Sequence, residues 1–244
     1  MGRWLFGLSA LALGVASLAL HAQLVSAWLL PGKSAFLIVT SLAQIAGGAA
    51  LPFARTGRLG AAILAAVYLL FALTLVPEIV AHPAIYASWG DVFYGLALVA
   101  GAIVAYGLAV PSASSTKTIC TAAVMLFGLC NISFAIEQVE FLARTVSLVP
   151  KWMPPNGNFW AILTAIAFAL AGIALLTRYR ARLAAQLLAL MLIIFGVAIW
   201  IPMLIADPKA ISNWSEGIET FAIAGVALIV ADYLAGLRQA SSRR

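Results

Sequence analysis

Residues 59–76 read LGAAILAAVYLLFALTLV: eighteen positions without a charged side chain. Eighteen helical residues rise about 27 Å, close to the ~30 Å thickness of a bilayer's hydrocarbon core. Water offers no reason to build such a run, because a soluble helix keeps one polar face. The flanks fit a span. Arg58 stands just before it, and Pro77, Glu78 and His82 follow it.

The rest of the chain repeats this pattern. Of 244 residues, 64% are hydrophobic and 9% charged, and the mean hydropathy is +1.08. A soluble domain carries about 25% charged residues, so most of this surface needs lipid as its solvent. Apolar runs occupy about 4–29, 33–53, 58–80, 89–109, 118–143, 158–177, 182–205 and 214–237. Breakers separate them: Pro31-Gly32, Thr56-Gly57, Pro83, Pro111-Ser112, Pro154-Pro155-Asn156-Gly157 and Asp207-Pro208. The expectation is an all-α, polytopic membrane protein of about eight transmembrane helices.

Placing the N-terminus in the cytoplasm puts ten of the 14 Lys and Arg inside and four (Lys33, Arg144, Lys151, Lys209) outside, so both termini are expected to be cytoplasmic. Arg3, the first apolar run and Leu20-His21-Ala22 or Val25-Ser26-Ala27 also resemble a signal peptide, whose removal would leave seven helices. The uncleaved reading is preferred because the apolar run continues to Leu30. The net charge of +6 sits in short loops with no basic stripe, which argues against nucleic acid. Cys120 and Cys130 lie about 15 Å apart along one helix, beyond disulfide reach.

Shifting the sequence by 125 positions aligns 46–102 with 171–227. Alanine matches mean little here. Arg55/Arg180, Pro77/Pro202, Pro83/Pro208 and Trp89/Trp214 are rare residues at corresponding places, and Asp91/Glu216 is a conservative pair. Two parallel four-helix bundles, 1–112 and 113–244, are the arrangement this repeat implies. Parallel repeats also occur in transporters, so the repeat alone assigns no function.

Seven of the eight acidic residues fall in the outer halves of spans or in outer loops. Ionisable groups in a span are costly and usually face protein or water. In the fifth run Ser133, Glu137, Glu140 and Arg144 share one helical face, with Asn131 and Gln138 opposite. Two readings compete: a Glu140–Arg144 i,i+4 ion pair near the interface, or an outward pocket lined by Glu137. Ser88 with Asp91, and Asn213 with Glu216, have capping-box spacing. Glu219 is one turn deeper and is not explained as a cap; its counterpart at the 125 shift is Tyr94. Glu78 and His82 have ion-pair spacing, and Trp89 and Trp214 suit an interfacial belt.

The second half resembles the DoxX-like family of small bacterial membrane proteins. The residues carrying this are Phe134-Ala135-Ile136-Glu137-Gln138, Lys151-Trp152-Met153-Pro154, Phe159-Trp160, Ala171-Gly172-Ile173-Ala174-Leu175-Leu176 with Arg180 and Arg182, then Pro202 and Trp214 to Asp232. The first half is similar but more degenerate. The resemblance implies a four-helix bundle in the bacterial inner membrane and an association with quinol-oxidase or thiosulfate:quinone chemistry. The chain departs from the family at Gln138, where relatives often have His, and at Gln44 and Ala169, where they often have Glu.

Three functions follow as alternatives: an accessory, quinone-associated subunit of a membrane redox system, a small-molecule permease, or a scaffold without chemistry. No residues mark a site for haem, flavin or an iron–sulfur cluster. A quinone needs only an apolar slot with a few polar groups. The candidate pocket comprises Glu137, Gln138, Glu140, Arg144 and Glu219, with Glu78 and His82.

Overall fold

The computed structural model describes residues 1–21, 33–110 and 114–242. The proposed cleavage sites beyond His21, the Pro31-Gly32 and Pro111-Ser112 breaks, and Arg243 and Arg244 lie outside the described residues. Among the described residues the chain is α-helical throughout its regular structure. The helices are α1 Gly2–Ala19, α2 Lys33–Ala50, α3 Gly57–Ala81, α4 Tyr86–Gly107, α5 Ser114–Glu140, α6 Leu142–Leu148, α7 Gly157–Thr177, α8 Ala181–Phe195, α9 Ile201–Ala206 and α10 Ile211–Ser242. A π-helical turn, Gly196–Trp200, joins α8 to α9, so 181–206 forms one span.

Among the described residues, seven helices are long and apolar enough to cross a membrane. The protein is a multi-pass membrane protein. Eight spans were expected, and the difference is α2. Its apolar stretch, Ala35–Ala50, is shorter than the others. The expected run to residue 53 stops at Ala50 because Pro52 has no N–H with which to continue the helix.

Packing follows chain order in a ring: α1 on α2, α2 on α3, α3 on α4, α4 on α5, α5 on α7, α7 on α8, α8 on α10, and α10 back on α1. α4 and α10 also meet across the middle. The two four-helix sets are therefore joined at three places: α4 on α5, α10 on α1, and α4 on α10. In lipid, such contacts depend on close backbone approach rather than on a hydrophobic force. At the α4–α10 crossing, a Cβ on Gly101 would fall 2.2 Å from the Val226 side chain. At the α1–α10 crossing, a Cβ on Gly225 would come 2.5 Å from the backbone nitrogen of Phe6.

Two irregularities position the site. α5 ends at Glu140, and Phe141 (φ −102°, ψ 38°) turns the chain into α6. The Phe141 N–H still donates to the Glu137 carbonyl at 2.9 Å, and Thr145 N–H then donates to Phe141. The π turn has a matching cause: Pro202 supplies no N–H, and the Ile201 N–H donates five residues back to Gly196. Gly196 also admits the Phe221 ring of α10, which a Cβ would strike at 2.2 Å.

Three tryptophans tie loops to helix starts in the same way. The indoles of Trp89, Trp160 and Trp214 each donate to a proline carbonyl six residues earlier, on Pro83, Pro154 and Pro208, at 3.1, 2.8 and 2.9 Å.

Candidate functional site

A cavity of about 670 Å³ opens among α3, α4, α5, α6, α7, α8 and α10. Its volume lies within the range of sites for drug-sized ligands. One end of the cavity is polar. Asp91 and Tyr94 come from α4, Glu137 and Gln138 from α5, Arg144 and Thr145 from α6, Thr164 from α7, and Ser215, Glu216 and Glu219 from α10. This is the end at which α4, α7 and α10 begin and across which α6 lies. The remainder is apolar, walled by Phe71, Phe134, Phe168, Phe195 and Trp200 among others. Tyr94, Phe134 and Phe168 form an aromatic file across α4, α5 and α7, with successive ring centroids 5.8 Å apart.

Each polar residue is positioned by its helix. Glu219 sits about two turns inside α10 and is buried, at 8% exposure. The Tyr94 and Ser215 hydroxyls reach its carboxyl. Gln138 accepts a hydrogen bond from Thr164 Oγ1 at 2.9 Å, joining α5 to α7. Thr164 is itself tied to the Trp160 carbonyl at 2.9 Å. Glu137 lies against α4 at a glycine: a Cβ on Gly90 would stand 3.1 Å from the Glu137 carboxylate. Next to it, Tyr86 donates its hydroxyl to the Ser133 carbonyl at 3.0 Å and locks α4 to α5.

Arg144 is not where helical periodicity places it. The break at Phe141 carries it onto α6, where its guanidinium pairs with the Glu216 carboxylate of α10. The expected Glu140–Arg144 pair is therefore not made, and Glu140 does not line the cavity. The capping boxes fail for a related reason. α4 starts at Tyr86 and α10 at Ile211, ahead of Ser88 and Asn213. Asn213 uses its amide to donate to the Met203 and Asp207 carbonyls, at 3.2 and 3.1 Å, closing the α9–α10 loop. Asp91 and Glu216 are thus released from capping and line the cavity.

Of the seven residues expected in a pocket, Glu137, Gln138, Arg144 and Glu219 share this cavity. Gln138, expected on the face opposite Glu137, reaches the same space because the cavity spans the gap from α4 to α7. Glu78 and His82 lie elsewhere, on exposed surface, 3.8 Å apart. The residues missed by sequence reasoning are Asp91, Tyr94, Thr164, Ser215 and Glu216. The available signal was the spacing itself: Asp91 and Tyr94 correspond to Glu216 and Glu219 at the 125 shift, so α4 and α10 offer matching i,i+3 pairs.

A second polar group is buried outside the cavity. Ser41 and Gln44 of α2 and Tyr68 of α3 are each 0% exposed. The Tyr68 hydroxyl and the Gln44 amide lie against each other, and among the described residues Ser41 Oγ has no hydrogen-bond partner. No group of three His, Cys, Asp or Glu among the described residues could hold a metal ion.

Chemically, the cavity offers a long apolar slot with carboxyl, phenol and guanidinium groups at one end. That arrangement suits an amphipathic ligand whose polar head forms hydrogen bonds. Comparison with protein-family models, with curated proteins and with solved structures finds no match for this chain.

Proposed function

We propose that the chain is a DoxX-like accessory subunit of a membrane redox system and that the cavity holds a quinone. The observation that carries this reading is the cavity's division into an aromatic and aliphatic slot with hydrogen-bonding groups at one end only. A quinone ring presents two carbonyl acceptors. Tyr94 and Arg144 supply donors for them, and the carboxyls of Glu137 and Glu219 lie beside them to receive or return a proton. The polar end faces the outside in this reading. The Lys and Arg distribution supports that orientation, and with it cytoplasmic termini; the bacterial inner membrane is part of the DoxX-like reading.

The reading includes a tandem duplication of a four-helix unit. Two pairs of positions related by the 125 shift support it. Trp89 and Trp214 make the same six-residue hydrogen bond to Pro83 and Pro208. Gly101 packs directly on Val226, its own counterpart.

The test is quenching of tryptophan fluorescence by a quinone in purified protein, since Trp160 and Trp200 line the slot. Saturable quenching that weakens at least tenfold in Glu219→Gln is expected. Unsaturable quenching, equal in the variant, counts against the quinone.

One feature favours a second reading. Four carboxylates, on Asp91, Glu137, Glu216 and Glu219, face a single cation, Arg144, at the polar end. That excess suits a permease for a lipophilic cation. Gradient-driven uptake of such a cation into proteoliposomes, lost in Glu219→Gln, would favour it over the quinone. Failure of both assays leaves the scaffold alternative.

A further inference from the structure

The cavity has a side opening, and the residues that form it identify the kind of ligand that could use it. α8 buries Ala181, Ala185, Leu188, Ala189 and Leu192 against its neighbours. At 100° per residue these five share one face. Leu187, Leu190 and Ile194 lie on the other side of the helix, yet they line the cavity. They are 56%, 53% and 48% exposed. Across from them, Leu163 of α7 also lines the cavity and is 42% exposed. Side chains that bound a cavity and also lie on a helix's lipid-facing side mark a mouth. The mouth is the cleft between α7 and α8.

The cleft stays open because neither helix offers a glycine to close it. In α7, Gly157 faces Val146 of α6 and Gly172 faces Gly128 and Ile132 of α5. The glycine that follows α8, Gly196, faces Phe221 of α10. All of the cleft's bounding side chains are apolar, so hydrocarbon satisfies it as well as protein does.

A compact polar metabolite would gain nothing from an exit into lipid. A molecule with a polar head and a long apolar tail would. We propose that the ligand is a long-chain, bilayer-dissolved quinone that enters through the α7–α8 cleft and leaves its tail lying there, while the ring reaches Glu219, Tyr94 and Arg144. This rests on the quinone reading of the cavity and adds to it the route and the tail. Nothing need cross to the aqueous phase, so exchange is governed by the membrane concentration of the quinone.

The test uses the full chain in lipid nanodiscs and two probes: a benzoquinone ring without a tail and the same ring carrying a polyisoprenoid tail. The variant is the double substitution Leu163→Phe with Leu190→Phe, which narrows the mouth without touching the polar end. Binding is read by tryptophan quenching, and thermal unfolding checks the fold. Long-chain affinity is expected to fall at least tenfold, while tailless affinity changes less than twofold. Equal losses for both probes, or unchanged long-chain binding, overturn the cleft. Absence of saturable binding by either probe in the unaltered protein overturns the quinone reading and this proposal with it. An independent measurement needs no variant. A long-chain quinone bearing a photoreactive group at its tail end should label peptides containing Leu163 and Leu190, and labelling confined to other helices sinks the proposal.

Discussion

The hairpins α2–α3 and α7–α8 occupy the same place in the order of their four-helix sets, yet one is shut and the other gapes. In α2–α3, two glycines face the partner helix. A Cβ on Gly60 would stand 2.6 Å from the Gly47 carbonyl oxygen and 2.7 Å from the Leu51 nitrogen, and a Cβ on Gly47 would meet Leu64 at 2.9 Å. Their backbones touch along this seam. Position 185, the 125-shift counterpart of Gly60, is alanine, and Gly172 is turned toward α5. The polar groups differ accordingly. Ser41, Gln44 and Tyr68 are sealed between helices, whereas Glu137, Gln138 and Glu219 line a cavity of about 670 Å³. Small-residue packing decides which hairpin closes on itself and which leaves room beside it for a ligand.

The sharpest way to break this comparison is to wedge the closed hairpin. In Gly60→Leu the new side chain meets backbone atoms that cannot rotate away, so a loss of roughly 3 kcal/mol or more is expected. The same measurement on Leu190→Ala, in the open hairpin, should change stability by less than about 0.5 kcal/mol, because that side chain is 53% exposed. Thermal or denaturant unfolding in one detergent checks both. Similar losses would mean that the α7–α8 cleft is packed after all.

Next in size is the polar end of the open half. Glu219→Gln keeps the shape but removes the carboxylate that Tyr94 and Ser215 reach. Quinone affinity is expected to fall about tenfold, or ~1.4 kcal/mol, with little change in unfolding. Gln44→Leu is its counterpart in the closed half. It removes the polar neighbour of the buried Tyr68 hydroxyl, so stability should fall by about 1 kcal/mol, with quinone binding unchanged. If Gln44→Leu weakened binding as much as Glu219→Gln, the buried α2–α3 group would belong to the site and the contrast between the hairpins would fail.

The turn that joins α7 to α8 gives a smaller effect. Arg178 and Arg180 adopt left-handed backbone angles, φ 60° and 52°, which cost a non-glycine residue about 1 kcal/mol. Arg180→Gly should therefore stabilise the protein by up to about 1 kcal/mol if the strain serves only the turn. A gain in stability accompanied by lost long-chain quinone binding would show that the strained turn holds the cleft apart.

Sequence reading reached the fold more fully than the site. Apolar run length settled the helices, because in lipid every backbone group must be satisfied within its own segment. It overran α2, where Pro52 cut the helix short. The site was legible in part. Glu137 stood out as the carboxyl that could line a pocket, and Glu219 as one not explained as a cap. The fate of Arg144 was hidden, because helical periodicity assumes an unbroken helix and Phe141 ends one. Asp91 and Glu216 were concealed by a competing local rule, since capping-box spacing explains them until the helix starts are known. The α7–α8 cleft could not be read at all: which way Gly172 faces is a property of packing, not of composition.

The smallest expected effect tests whether α6 braces the open half. Arg144 is the guanidinium that pairs α6 with Glu216 of α10 across the polar end. Its side chain is 65% exposed and that of Glu216 32%, so water screens the pair from the Arg144 side. Arg144→Ala should therefore lower stability by no more than about 0.5 kcal/mol. α6 keeps another anchor in any case, because Thr145 Oγ1 donates to the Gln138 carbonyl of α5 at 3.4 Å. A loss well above 1 kcal/mol on unfolding would make Arg144 a strut between α6 and α10. The cavity would then owe its open shape to that ion pair rather than to the missing glycine contacts between α7 and α8.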